Sequence, residues 1–269
     1  WNLPAGPFLL RVLRCCLYNQ GTIGSVENAK IAQYAENEYF GKPCGLMDMT
    51  ACAVGNLVYI DFRDFEDPYV EKIDYDFSKS GYQMIVVDTG GSHADMNDDY
   101  TDLEHEMKQC AQALGGTVLR DVSLDLLLEK LSEIRHRVSD RAILRAFHFF
   151  YDDQRVFRQK EALKQNQFET FKQEFICSGY NSFTYCQNCF SSRCPQHQGI
   201  SVALAVSENL LAPRGGAWRV HGGGFAGTIQ CFVPDAYVED YVKEISRIFG
   251  KNSVYMIRIR SDGTTLLVS

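Results

Sequence analysis

The sequence predicts an α+β protein, and three observations carry that expectation. Helical stretches and short apolar runs are mixed along the chain without the strict alternation that a parallel βαβ sheet demands. At 269 residues with 45% hydrophobic content, the chain can bury a substantial core as one large domain or as two lobes. No internal repeat and no long low-complexity linker interrupts it.

Taken in order, residues 26–40 read as a helix, with Ala29, Ile31, Ala32, Ala35 and Tyr39 on one broad face and Ser25 as N-cap. A turn at Gly41-Lys42-Pro43 leads to the segment Cys44–Thr50, and a strand follows at Leu57–Phe62. Tyr82–Asp88 is an apolar run ending in Thr89-Gly90-Gly91, which reads as a buried strand feeding a loop. Helices are expected at about 99–114, 123–136, 139–164 and 167–177, then a loop over 178–198 and a helix at 199–211. A strand near 217–221, a glycine-dense loop, a strand at 228–233, a helix at 235–249 and strands near 253–260 and 265–269 complete the order.

Composition narrows the function classes. The net charge of −7, without a long Lys/Arg block, argues against nucleic-acid and anionic-membrane partners. No apolar run reaches the roughly 18 residues that span a bilayer. Leu9–Tyr18 is fairly apolar but contains Arg11 and Arg14, with no small-residue cleavage site after it, so it does not read as an export signal. Ten cysteines scattered without an export signal are expected to be reduced thiols of a cytoplasmic protein. Trp1 in place of a starting Met suggests a chain that begins inside a longer gene.

Two segments carry chemistry. In Cys44-Gly45-Leu46-Met47-Asp48 the glycine frees the backbone beside a carboxylate that can orient an incoming hydroxyl. Glu36, on the preceding helix, can hold a cation that bridges phosphates. The competing reading is a Gly–Asp turn and a solvated helix glutamate. In Gly222-Gly223-Gly224-Phe225-Ala226-Gly227 the glycines permit positive φ and close backbone approach to a ligand, or simply a tight hairpin. His221 beside it reads as a general base or as a strand-end structural residue.

The order Ala35-Glu36-Asn37, Cys44–Asp48 and His221–Gly227 resembles the galactokinases of the GHMP kinase superfamily, over about residues 15–269. Thr89–Asp95 with Asp98-Asp99-Tyr100 resembles their bacterial members, and Arg145-Ala146-Phe147-His148 and Gln154-Arg155-Val156 fit a packing helix of the same family. The resemblance implies a two-lobed fold, with 1–75 as the remainder of an incomplete N-terminal lobe and 76–269 as the C-terminal lobe. It implies ATP-dependent phosphorylation of the galactose C1 hydroxyl with ATP and Mg2+ as cofactors, galactose and ATP as small-molecule partners, and a chain that in this family is often monomeric. Residue by residue, it makes Asp48 the catalytic carboxylate and Glu36 the magnesium ligand. It places Gly45 and Tyr100 against the sugar, and Gly222, Gly223, Gly224 and Gly227 beside the nucleotide phosphates. Met49 stands where the family usually has Gln. A kinase for another sugar such as N-acetylgalactosamine, and a binding-only sugar sensor, are the alternatives.

Two features cut across this reading. Cys186, Cys189, Cys194 and His197 have the composition of a zinc site, set against reduced, partly buried thiols. The family's N-terminal segment with its catalytic Arg is absent, and its phosphate loop starts at Asn2-Leu3-Pro4-Ala5-Gly6 but turns into Pro7–Arg14. That octapeptide can be spelled so that a one-nucleotide shift reads Leu-Ser-Ser-Ser-Ala-Ser-Phe. A frame-shifted phosphate loop and an inactive fragment are therefore expected.

Overall fold

The computed structural model describes residues 9, 23–39, 41, 44–91 and 96–265. Of the octapeptide Pro7–Arg14 only Leu9 is among them, so the altered phosphate loop lies outside the described residues, as do Ser92–Asp95 and all but the first residue of the strand expected over 265–269. The chain divides into two compact units: Trp1–Tyr75 with Arg258–Ser269, and Asp76–Ile257. Arg258–Ser269, assigned above to the second lobe, thus groups with the first unit.

In the first unit, helix α1 (Ser25–Tyr34) runs into a π-helical turn, Ala35–Tyr39. Its N-cap is Gly24 rather than Ser25, and no side chain caps it. Ala29 and Ala32 are fully buried, whereas Ile31 and Tyr39 are 39% and 82% exposed, so the apolar face is narrower than the periodicity suggests. The small alanines let α1 close onto helix α2 (Leu46–Val54), where Leu46, Met49 and Ala53 join them with Leu9 in one core. Strands β1 (Leu57–Asp61) and β2 (Tyr69–Ile73) pair antiparallel, Leu57 opposite Ile73 and Asp61 opposite Tyr69. Asn56 N–H donates to Arg260 O at 2.8 Å, Thr264 N–H to Ala53 O at 3.1 Å, and Lys72 Nζ to Ser261 O at 2.8 Å. Gly55, at φ +73°, leaves no room for a Cβ against the backbone of Asp262 and Gly263, so this crossing requires glycine.

The second unit is built on an antiparallel sheet of order β4-β5-β3-β6, formed by β3 (Tyr82–Asp88), β4 (Ala217–Val220), β5 (Thr228–Pro234) and β6 (Val254–Ile257). Helices α3 (Asn97–Ala113), α4 (Leu124–Ile134), α5 (Asp140–Lys164) and α6 (Phe168–Asn181) precede β4, as does α7 (Gly199–Leu211); α8 (Val238–Phe249) follows β5. Ser123 and Ser139 cap α4 and α5, their hydroxyls accepting from Leu126 N–H and Ala142 N–H, which satisfies donors the first turn leaves open. Ile200, Ala203 and Leu211 of α7 and Tyr241 and Ile245 of α8 share a core with Ile85, Val87, Ile229 and Val233 of the sheet. A second core joins α3, α4 and α5 through Cys110, Leu127, Ile134, Ala146 and Phe150.

The strand Tyr82–Asp88 and the helix at 199–211 fall where the sequence places them. Three expectations change. Cys44–Thr50 is not a loop motif but the entry to α2, and β2 is a strand the pattern did not reveal. The expected loop 178–198 begins with helix: α6 runs to Asn181 and a π-helical turn, Ser182–Cys186, continues it. Among the described residues no helix is long and apolar enough to cross a membrane.

Candidate active-site elements

Glu36 and Asp48 belong to the first unit and are set on different backbone. Glu36 lies in the π-helical turn and is 1% exposed. Turns of this type recur at functional sites, because the extra residue re-aims side chains that regular α-helix would place elsewhere. A carboxylate this buried is stable only where donors or a cation meet its charge. The next residue, Asn37, accepts Cys44 N–H on Oδ1 at 2.8 Å, and Gln33 Nε2 donates to Cys44 O at 3.1 Å. These bonds hold the backbone just ahead of Gly45, the extended N-cap of α2 (φ −80°, ψ 162°). A Cβ built on Gly45 meets nothing within 4 Å, so the backbone there faces open space.

Asp48 follows in the first turn of α2 and is exposed. A carboxylate at this position is favoured by the partial positive charge of the helix N-terminus. Met49 points the other way, into the core at 2% exposure, which makes its difference from Gln a matter of packing. Cys52, one turn on, has its thiol pKa raised by burial and by the Asp48 charge.

In the second unit, three side chains from distant segments hold the glycine loop by its carbonyls. Tyr100 Oη donates to Gly224 O at 2.9 Å, Asn188 Nδ2 to Gly223 O at 3.0 Å, and Thr89 Oγ1 to Gly227 O at 2.7 Å. Phe225 N–H donates to Asn188 O, and the Phe225 ring meets Tyr100 edge to face at 5.3 Å. Gly222, Gly224, Phe225 and Gly227 all have positive φ, at 65°, 80°, 60° and 93°. His221 Nδ1 lies 3.0 Å from Thr228 Oγ1 across the hairpin, which is the strand-end structural arrangement. Tyr100 follows Asp99, 4% exposed, whose carboxylate accepts Ser191 Oγ at 2.7 Å and Arg193 Nη1 at 2.9 Å.

The cysteine cluster does not assemble. Cys186 and Cys189 are buried, with thiol pKa values pushed up to about 12 by burial, whereas Cys194 and His197 are exposed. Among the described residues no three His, Cys, Asp or Glu side chains gather as a metal cage. A single carboxylate such as Glu36 is nevertheless the kind of oxygen ligand magnesium takes, since that ion binds through one or two carboxylates and completes its shell with phosphates and water. The pairs Glu36/Asn37 and Tyr100/Asn188 show what motif reading reached and what it passed over. The carboxylate and the phenol were visible as residue types, and Asn37 as part of the Ala35–Asn37 motif, while the role of each asparagine declares itself only through the backbone atoms it holds.

No protein-family model matches the chain. It is 29% identical over 234 residues to a galactokinase of Actinobacillus pleuropneumoniae, covering 86% of this chain and 57% of the relative. It is 30% identical over 227 residues to a galactokinase of Streptomyces coelicolor, covering 82% and 54%. Among solved structures, Lactococcus lactis galactokinase complexed with galactose superimposes with TM-score 0.76 at 17% identity, over 98% of this chain and 66% of that one. The chain has the GHMP kinase fold and resembles the galactokinases. L. major mevalonate kinase in complex with R-mevalonate shares the fold, with TM-score 0.60 at 14% identity over 97% of this chain and 66% of that one. This galactokinase-like chain spans little more than half the length of the two curated relatives.

Proposed function

We propose that this chain is the greater part of a galactokinase, in which ATP gives its γ-phosphoryl group to the C1 hydroxyl of galactose to form galactose 1-phosphate. The observation that carries the reading is Asp48. It is an exposed carboxylate in the first turn of α2, three residues after an open Gly45, in a chain 29–30% identical to galactokinases. Phosphoryl transfer has a loose transition state, so the protein contributes mainly position and charge. Asp48 orients the sugar hydroxyl and accepts its proton, and Gly45 lets the sugar ring approach the backbone. Glu36 would hold magnesium, whose charge offsets that of the ATP phosphates. By the same resemblance, the Gly222–Gly227 loop would meet the nucleotide phosphates, and Tyr100 would offer the lone pairs of its oxygen to the sugar. Trp1–Tyr75 would belong to the N-terminal lobe and Asp76–Ile257 to the C-terminal lobe. The protein would work in the cytoplasm.

Pro7–Arg14 contains neither Gly nor Ser, where a phosphate loop needs close backbone approach. We therefore expect the 269-residue polypeptide by itself to turn over at a small fraction of a complete kinase's rate. Calorimetry with galactose and with ATP and magnesium chloride, run beside an assay of galactose-dependent ADP release, tests both statements. Binding of both ligands with negligible turnover is the expected result, and is also what a sugar sensor would give. Failure to bind either ligand would remove the site assignment, and brisk ADP release would remove the expectation of inactivity. N-acetylgalactosamine in place of galactose reads the sugar preference.

A further inference from the structure

We propose that Asn188 is a positioning residue for the glycine loop, acting with Tyr100 to tie the carbonyls of Gly223 and Gly224 and so fix the loop's shape, with the Gly224 N–H directed toward an anion. Its effect on ATP rests on the nucleotide reading above; its effect on the loop does not.

The geometry is specific. Asn188 comes directly after Gln187, whose left-handed conformation (φ 56°) ends the π-helical turn and throws the chain toward the loop. From there Asn188 holds two adjoining peptides at once. Its carbonyl takes Phe225 N–H, and its side-chain amide donates to Gly223 O at 3.0 Å. Tyr100 adds the carbonyl in between, Gly224 O. The loop needs such ties, because Phe225 sits at φ 60°, a conformation that a side-chain-bearing residue adopts only when its surroundings impose it. A Cβ on Gly224 would run into the Asn188 carbonyl, so loop and residue are fitted at contact distance.

Asn188 is itself anchored. It is 6% exposed, and Ser191 and Arg193 just beyond it are bound by Asp99, the neighbour of Tyr100. The start of α3 therefore holds the loop directly through Tyr100 and indirectly through the Asn188 segment. Asn188 Oδ1 is buried without a hydrogen-bond partner among the described residues. Buried acceptors are seldom left unmet. Here the opposite orientation of the amide would set Oδ1 against Gly223 O, so the unmet acceptor follows from committing Nδ2 to the loop. Phe225 N–H is taken by Asn188 O and Ala226 N–H by Gly224 O, so it is the Gly223–Gly224 peptide, its carbonyl tied to Asn188, that directs its N–H away from the anchor and toward an anion.

The test is hydrogen–deuterium exchange on the full chain and on Asn188→Ala, Asn188→Asp and Tyr100→Phe, with calorimetry of ATP plus magnesium chloride and, separately, of galactose. Asn188→Asp keeps the shape but puts an acceptor against Gly223 O; Tyr100→Phe keeps the ring contact and removes only the hydroxyl. Each variant should raise exchange across Gly222–Thr228 roughly tenfold while α5 and β3 stay at parental rates. ATP affinity should fall about tenfold in the Asn188 variants with galactose affinity unchanged, a split that general destabilisation would not produce. Unchanged exchange over Gly222–Thr228 in both Asn188→Asp and Tyr100→Phe overturns the proposal, and so does a rise spread evenly through Asp76–Ile257. If the parent chain binds no ATP yet the exchange rises locally, the positioning role stands and the nucleotide reading falls.

Discussion

The glycines of this chain divide by what surrounds them, and the division is testable one residue at a time. Gly45 faces open space in an ordinary extended conformation, so Gly45→Ala should cost about 1 kcal/mol or less, the loss of a good N-cap. If the backbone there meets galactose, the same variant should lose sugar affinity in calorimetry while its denaturation midpoint scarcely moves. Gly224 is the opposite case: its φ of +80° and its fit against the Asn188 carbonyl should make Gly224→Ala cost roughly 1–3 kcal/mol, read from urea unfolding. The thiols divide in the same way. Cys186 and Cys189, with pKa values pushed up to about 12, and Cys110 and Cys231, pushed up to about 11, stay protonated at ordinary pH because burial disfavours the thiolate. Alkylation near neutral pH should therefore mark the exposed Cys194 first, and these four only after unfolding, as peptide mapping would show.

Between elements, buried charge decides how the helices of the second unit meet. Arg145 of α5 is 2% exposed, donates to Glu106 of α3 at 2.9 Å and reaches the Cys186 carbonyl at 3.1 Å. Arg145→Ala would leave the Cys186 carbonyl unmet and Glu106 held by Arg141 alone, at a cost of about 1–3 kcal/mol. Arg158→Ala, which opens an ion pair with Glu174 that is largely exposed on the arginine side, should cost under about 1 kcal/mol in the same urea titration. His148, also on α5, has its imidazole pKa lowered from the usual 6.5 by burial, with Asp152 opposing that shift and Arg219 and Arg155 adding to it. The sign follows: below pH 6.5 the unfolded chain takes up the proton first, so stability is present above 6.5 and drains away as pH falls. Thermal melts between about pH 7.5 and 5.5 should show this slope, and His148→Gln should flatten it. The capped, amphipathic helices were legible in the sequence because Ser123 and Ser139 announce their starts. Helix α2 was not, since a short segment rich in Met, Thr and Cys between two glycines carries little periodicity and forms by packing on α1. Strand β2 escaped for a related reason: Tyr69–Ile73 alternates too briefly and is held in place by its partner β1.

At the scale of the whole molecule, the two units differ in how much holds each one together. Among the described residues the second has a four-stranded sheet covered by helices and two apolar cores, while the first shows helices α1 and α2, a small core and a two-stranded hairpin, a form marginal on its own in water. Amides of α1, α2 and the hairpin should therefore exchange faster than those of β3, β5 and α7, in a native-state exchange experiment on the intact chain. The return of Arg258–Ser269 to the first unit was out of reach of motif reading, because a backbone crossing such as Gly55 over Gly263 leaves only two glycines far apart in the sequence. That crossing has a consequence in time. Asp76–Ile257 is continuous in sequence, whereas the ties of Asn56 to Arg260 and of Ala53 to Thr264 close only across the whole of that stretch. These ties join residues farther apart in sequence than any two within Asp76–Ile257, so they form late in folding, and until they form the first unit stays open to proteases and chaperones.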